Sequence, residues 1–119
     1  MPLSILIVDD DARIRTLIRR TLEKAGYSVR EARNGKDAID QAVSSGHVDL
    51  FITDICMPET DGAELIRKLR RFNANTAIIA MSGAFEGELL NVADLLGVKG
   101  VLRKPFTADE LLEAVRLSS

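Results

Sequence analysis

Tryptophan is absent from this chain, and its other aromatic residues are one tyrosine and four phenylalanines. Aliphatic side chains must therefore fill any core. There is one cysteine, Cys56, which excludes an internal disulfide and suits a reducing compartment. No run approaches the roughly 20 apolar residues of a membrane span. The apolar stretch in MPLSILIVDDD is too short for a signal peptide and lacks a basic leading segment. A cytoplasmic location is the expectation. Neither sign of charge dominates: 18 acidic and 16 basic residues leave a net charge of −2. That balance offers no electrostatic footprint for nucleic acid or an anionic membrane. Internal repeats, low-complexity tracts and Pro- or Ser-rich linkers are also missing.

What is present is the material of one globular domain. A length of 119 residues suffices for a single domain spanning 1–119 and is too short for two ordinary ones. Short apolar runs alternate with stretches of helical period. Ser4 to Val8 (SILIV) predicts a strand covered on both faces. Ile14, Leu17, Ile18 and Leu22 follow helical spacing, and Gly26 ends that helix. Tyr27 to Glu31 predicts a second strand. Asn34 and Gly35 open a helix in which Ala38, Ile39, Ala42 and Val43 share a face. Asp49 to Thr53 predicts a third strand, followed by a helix from near Asp61 with Glu64 placed for a capping box and Leu65, Ile66 and Leu69 as its stripe. Thr76 to Met81 is the fourth strand, 88–96 the fourth helix, and Gly100 to Arg103 the fifth strand. Thr107 and Glu110 form a capping box for a last helix carrying Leu111, Leu112, Val115 and Leu117. Five strand–helix units predict an α/β fold with a parallel sheet covered on both faces.

In such open sheets ligands bind beyond the carboxyl ends of the strands. The first strand runs into Asp9, Asp10 and Asp11, the third into Asp54, the fourth into Ser82 and Gly83, and the fifth into Lys104 and Pro105. Two carboxylates about 4 Å apart repel by about 4 kcal/mol at an effective dielectric near 20. Asp9, Asp10 and Asp54 therefore require cations if they sit together ionised. Lys104 supplies one charge, and a hard divalent ion such as Mg²⁺, which takes carboxylates, waters and phosphate oxygens, supplies the rest. A carboxylate beside a metal, an ammonium and a hydroxyl can accept a phosphoryl group. Gly83 leaves room for that group to approach.

The segments ILIVDDD, DLFITDICMPETDG, IIAMSG and VLRKPF resemble the receiver domains of two-component response regulators. The resemblance covers essentially the whole chain. It implies a flavodoxin-like doubly wound (βα)5 fold with strand order 2-1-3-4-5 and a chemotaxis-response-regulator-like phosphoacceptor. By that resemblance Asp54 takes phosphate from a sensor histidine kinase or a histidine phosphotransferase. Asp10 and Asp54 bind Mg²⁺ through carboxylates, Cys56 binds it through its backbone carbonyl, and Asp9 assists through the metal shell. Ser82 contacts the phosphoryl group and shifts on activation. Lys104 pairs with the phosphate, and its bond to Pro105 is expected to be cis. The output is altered binding of a downstream protein or effector domain, with no direct nucleic-acid or membrane contact and no turnover of an external substrate. A stand-alone domain and a fragment of a longer protein both fit.

The chain departs from the family pattern at Val101, where a Tyr, Phe or His ring is usual. It offers no water-activating base at Cys56 or Ala84. With Val101 stiff at χ1 and expected to keep one rotamer, the expected moving part is the segment from Gly83 to Gly87 together with the start of the fourth helix. Taken singly, several residues have ordinary readings. Asp9, Asp10 and Asp11 read as a solvated turn and helix cap, Ser82 as a cap, and Lys104 as a solvated lysine; only their common register promotes them. His47 reads as a surface loop residue. Arg13, Arg15, Arg19, Arg20 and Lys24 read as a solvated helix face, with kinase docking the functional rival, and Arg67, Lys68, Arg70 and Arg71 as a solvated helix end. Two other functions are weighed: a Mg²⁺-dependent hydrolase with an aspartyl nucleophile, and a degenerate receiver serving as a constitutive scaffold.

Overall fold

The computed structural model describes residues 3–44, 46–57, 60–72, 75–83 and 97–119. The strands are β1 (Ser4–Val8), β2 (Ser28–Ala32), β3 (Leu50–Asp54), β4 (Cys56–Met57), β5 (Thr60–Asp61), β6 (Ala77–Ser82) and β7 (Gly100–Arg103). The helices among the described residues are α1 (Ala12–Lys24), α2 (Gly35–Ser44), α3 (Gly62–Phe72) and α4 (Ala108–Ser118). Five strands form one parallel sheet in the order β2-β1-β3-β6-β7. Numbered by chain order within that sheet, this is the expected 2-1-3-4-5. β4 and β5 pair antiparallel as a separate two-stranded ribbon.

The period-two alternation of the strands divides their side chains between two cores. Ile7, Ile52 and Ile79 stand in one cross-strand row and pack with Ile18 and Leu22 of α1 and Leu111 and Val115 of α4. Leu6, Phe51 and Ile78 form the next row and pack with Ala38 of α2 and Leu65, Ile66 and Leu69 of α3. Helices on both faces leave the sheet dry, so its fully buried strands can be continuous apolar runs.

Local chemistry sets the helix ends. Asp11 caps α1, its carboxylate accepting the Arg13 N–H at 2.9 Å. At the other end Gly26 adopts φ 99°. Its N–H donates to the Glu23 carbonyl, and that of Tyr27 donates to the Leu22 carbonyl. This is a Schellman closure that needs the left-handed residue. Asn34 accepts the Asp37 N–H at 2.8 Å and starts α2. Thr107 and Glu110 exchange hydrogen bonds at 3.0 and 3.1 Å and start α4 as the capping box predicts. α3 begins at Gly62, where a Cβ would lie 2.5 Å from the Ile55 Cα. Only glycine lets the helix start that close to the residue after Asp54.

Three strands lie one residue later than expected, at Ser28–Ala32, Leu50–Asp54 and Ala77–Ser82. Each strand's ends are set by its partners' hydrogen bonds, which local pattern does not contain. The β4–β5 ribbon has no counterpart in the pattern of apolar runs. Leu17, Val43 and Leu117 are exposed, against their placement on apolar stripes. In α1 and α4 the buried lines run Ile18–Leu22 and Leu111–Val115–Ser118; Leu17 and Leu117 sit about 100° around the helix from a buried neighbour. Val43 lies at the far end of α2, past its buried Ala38. The helix expected over 88–96 lies outside the described residues.

Candidate functional site

The order β2-β1-β3 places a topological switch point between β1 and β3, and their carboxyl ends open the crevice there. Asp9 follows the last residue of β1, and Asp54 is the last residue of β3. Both are buried, whereas Asp10 is exposed. One carboxylate oxygen from each of Asp9, Asp10 and Asp54 lies within 4.8 Å of the others. Lys104, just past β7, donates from Nζ to Asp9 Oδ2 at 2.7 Å and to Asp54 Oδ2 at 2.9 Å. Sequence separations of 95 and 50 residues are thus closed by the sheet alone.

These four side chains are the expected residues that the fold brings together. Ser82 is buried at the end of β6, two strands from β1, and its carbonyl accepts the Lys104 N–H at 2.9 Å. That bond fixes the lysine backbone to the neighbouring strand end. The Lys104–Pro105 bond is cis. Cys56 lies two residues past Asp54, at the start of β4 and paired in register with Asp61. Val101 is half-buried on β7, opposite Ala80. A Cβ at residue 83 would meet the Lys104 Cβ at 3.7 Å, an ordinary contact, so packing here does not demand Gly83. The segment 84–87, expected to move, lies outside the described residues.

The electrostatics favour a charged lysine. Burial works against the Lys104 ammonium, but its hydrogen bonds to Asp9 and Asp54 and the charges of both carboxylates outweigh burial and raise its pKa. Three carboxylates and one ammonium still leave an excess of negative charge. A set of hard oxygen donors in that state fits a hard divalent cation. Asp11, by contrast, serves as a cap, and the Arg13 N–H holds its carboxyl below the ordinary value although burial opposes this. The ordinary reading of the acidic run as a helix cap thus holds for Asp11 alone among the three.

Reading the basic face of α1 as solvated misses Arg15. Its guanidinium donates to the Asp9 carbonyl at 2.6 Å and to Glu31 at 3.1 Å. Glu31, 16 residues away on β2, is its partner across the sheet edge, and no spacing rule connects the two. His47 is exposed and pairs with Asp49 at 2.5 Å, as a loop residue would.

A family model described as the response regulator receiver domain matches residues 5–116. The response regulator MprA of Mycolicibacterium vanbaalenii is 38% identical over 117 residues, covering 98% of this chain and 50% of that protein. The transcriptional regulatory protein ResD of Bacillus subtilis is 36% identical over 112 residues, covering 94% and 46%. The chain therefore spans about half the length of the curated relatives it matches. Among solved structures, the chemotaxis protein CheY4 of Vibrio cholerae superposes with a TM-score of 0.92 at 29% identity, covering 100% of both chains. The response regulator TrrA of Thermotoga maritima, in complex with Mg²⁺–BeF, gives a TM-score of 0.83 at 32% identity, covering 96% of each. The family match begins at the second residue of β1 and ends inside α4, so it takes in every residue of the crevice, and the chain belongs to the response regulator receiver domain family.

Proposed function

We propose that residues 1–119 form a single receiver domain that works as a phosphorylation switch, with Asp54 as the phosphoryl acceptor. The observation that carries this reading is Lys104 bonded to both Asp9 and Asp54, with Asp10 in the same cluster. The proposed metal is Mg²⁺, held by the carboxylates of Asp10 and Asp54 and the backbone carbonyl of Cys56, with Asp9 acting through the surrounding shell. The Mg²⁺–BeF complex of TrrA supports that choice. When bound, the ion supplies positive charge to the phosphoryl oxygens.

The proposed donor is a phosphohistidine on a sensor histidine kinase or a histidine phosphotransferase. An Asp54 carboxylate oxygen attacks phosphorus as the bond from phosphorus to the donor's imidazole nitrogen breaks. The electron pair leaves with the imidazole, and an acyl phosphate remains on Asp54. Lys104 then pairs with a phosphoryl oxygen, and Ser82 donates its O–H to another. That contact exists only when the phosphoryl group is present, so it differs between the two states and can bias a binding surface. Val101 supplies no ring to this switch. The readout is a downstream protein or effector domain, and the setting is the cytoplasm.

Acetyl phosphate with Mg²⁺ is expected to label the wild type at one phosphoryl group per chain and to leave Asp54→Ala unlabelled. Stoichiometric labelling of Asp54→Ala would move the acceptor elsewhere. An unlabelled wild type would favour a constitutive scaffold, and sustained turnover of a generic phosphomonoester a hydrolase.

A further inference from the structure

We infer that Arg15 and Glu31 form a positioning pair that sets the acidic turn after β1 for metal binding. The inference rests on the metal site proposed above. Asp9 is held at both ends of its own backbone. Its N–H donates to the Ala32 carbonyl at 3.2 Å, and its carbonyl accepts from the Arg15 Nη1 at 2.6 Å. The second arm of the guanidinium, Nε, reaches Glu31 Oε1 at 3.1 Å. Glu31 is itself fixed, because Arg19 donates to its other oxygen at 3.1 Å and Gln41 donates to its carbonyl at 2.8 Å. Arg15 keeps 16% of its side-chain exposure and Glu31 25%, so water competes weakly for these bonds.

The fork is what the geometry uses. Arg15 spans from β2 to the first peptide beyond β1, and that peptide carries the chain into Asp10. Asp10 is exposed and has no core packing to orient it. Its direction is therefore inherited from the turn, and the turn is gripped by Arg15 on one side and by the Asp11 N–H to Asp9 Oδ1 bond of 2.9 Å on the other. A lysine can donate to the Asp9 carbonyl but cannot hold Glu31 with the same planar group.

Charge and positioning make opposite predictions. Arg15 is a cation beside a site that binds a cation, so its charge alone opposes Mg²⁺. If it acted by charge, Arg15→Met would tighten Mg²⁺ binding and Arg15→Lys would leave it unchanged. If it positions the turn, both substitutions weaken binding. Groups that orient metal ligands typically contribute about 10–100-fold in affinity.

The test is a Mg²⁺ titration of the labelled, folded protein followed by amide chemical shifts, with circular dichroism confirming the fold at the same temperature. Arg15→Met is expected to raise the Mg²⁺ dissociation constant about 10-fold or more, and Arg15→Lys to raise it by a smaller factor. A constant equal to or tighter than wild type in Arg15→Met overturns the proposal. Should Arg15→Met not fold, Arg15→Lys decides, and an unchanged constant there overturns it equally. Asp10→Asn is the control for the site itself. If Asp10→Asn titrates like wild type, the metal site is elsewhere; if it abolishes binding while the Arg15 variants bind normally, the site stands and the positioning role fails.

Discussion

Asp9 and Asp54 are both buried carboxylates, and both accept from one ammonium. Lys104 is therefore the positive charge that both carboxylates share. Removing it takes away the ammonium from which both buried carboxylates accept, and losing one partner of a buried ion pair costs several kcal/mol. We predict that Lys104→Met is destabilised by about 3 kcal/mol, the low end for such a change, because Lys104 keeps 19% side-chain exposure. Added Mg²⁺ should recover more stability in the variant than in wild type, since the ion then supplies positive charge that the lysine no longer does. Urea denaturation with and without Mg²⁺ reads both effects. A variant as stable as wild type, with no larger response to Mg²⁺, would show that Lys104 does not compensate the pair.

At the level of elements, the site depends on how closely α3 approaches β3. The Ile55 N–H donates to the Met81 carbonyl at 3.0 Å, so the residue after Asp54 is pinned to β6 and cannot retreat. Gly62 packs against it, with the position of a Cβ only 2.5 Å from the Ile55 Cα and 2.7 Å from its carbonyl oxygen. Alanine is the better helix former by about 1 kcal/mol, so propensity alone argues that Gly62→Ala stabilises. Steric overlap with backbone outweighs this, because neither partner is the flexible tip of a side chain. Gly62→Ala is expected to lose about 1–3 kcal/mol. Thermal unfolding gives the sign directly, and a rise in melting temperature would contradict the packing.

Over the whole molecule the sheet is shared by two cores; among the described residues α1 and α4 cover one and α2 and α3 the other. Ile79 belongs to the core under α1 and α4, while its neighbour Ile78 faces the core under α2 and α3. A void on one face therefore loosens strands that the other face also needs. Ile79→Ala is expected to cost about 2–5 kcal/mol, a large share of the stability of an ordinary domain of about 5–15 kcal/mol. Hydrogen exchange should show slow amides on β1, β3 and β6 losing equal protection, together with the slow amides of α3, which does not touch Ile79's core. Protection lost on one face alone would mean the two cores unfold as separate units.

Much of this was legible from residue order. The capping box of Thr107 and Glu110 is a contact three residues apart, and helical geometry makes it local. The alternation of apolar runs and periodic stretches names the strand–helix order, and the strand-end rule groups Asp9, Asp10, Asp11, Asp54, Ser82 and Lys104, of which Asp11 instead caps α1. The strand order itself came only through the family resemblance. Tertiary structure decided the rest: which row of each strand faces which helices, that Leu17 and Leu117 stay in solvent, that Gly62 must be glycine, and that Arg15 grips the Asp9 carbonyl instead of facing water. These depend on partners brought together by the sheet from distant parts of the chain. Local periodicity reports which face of an element is apolar, but carries no record of what lies across from it.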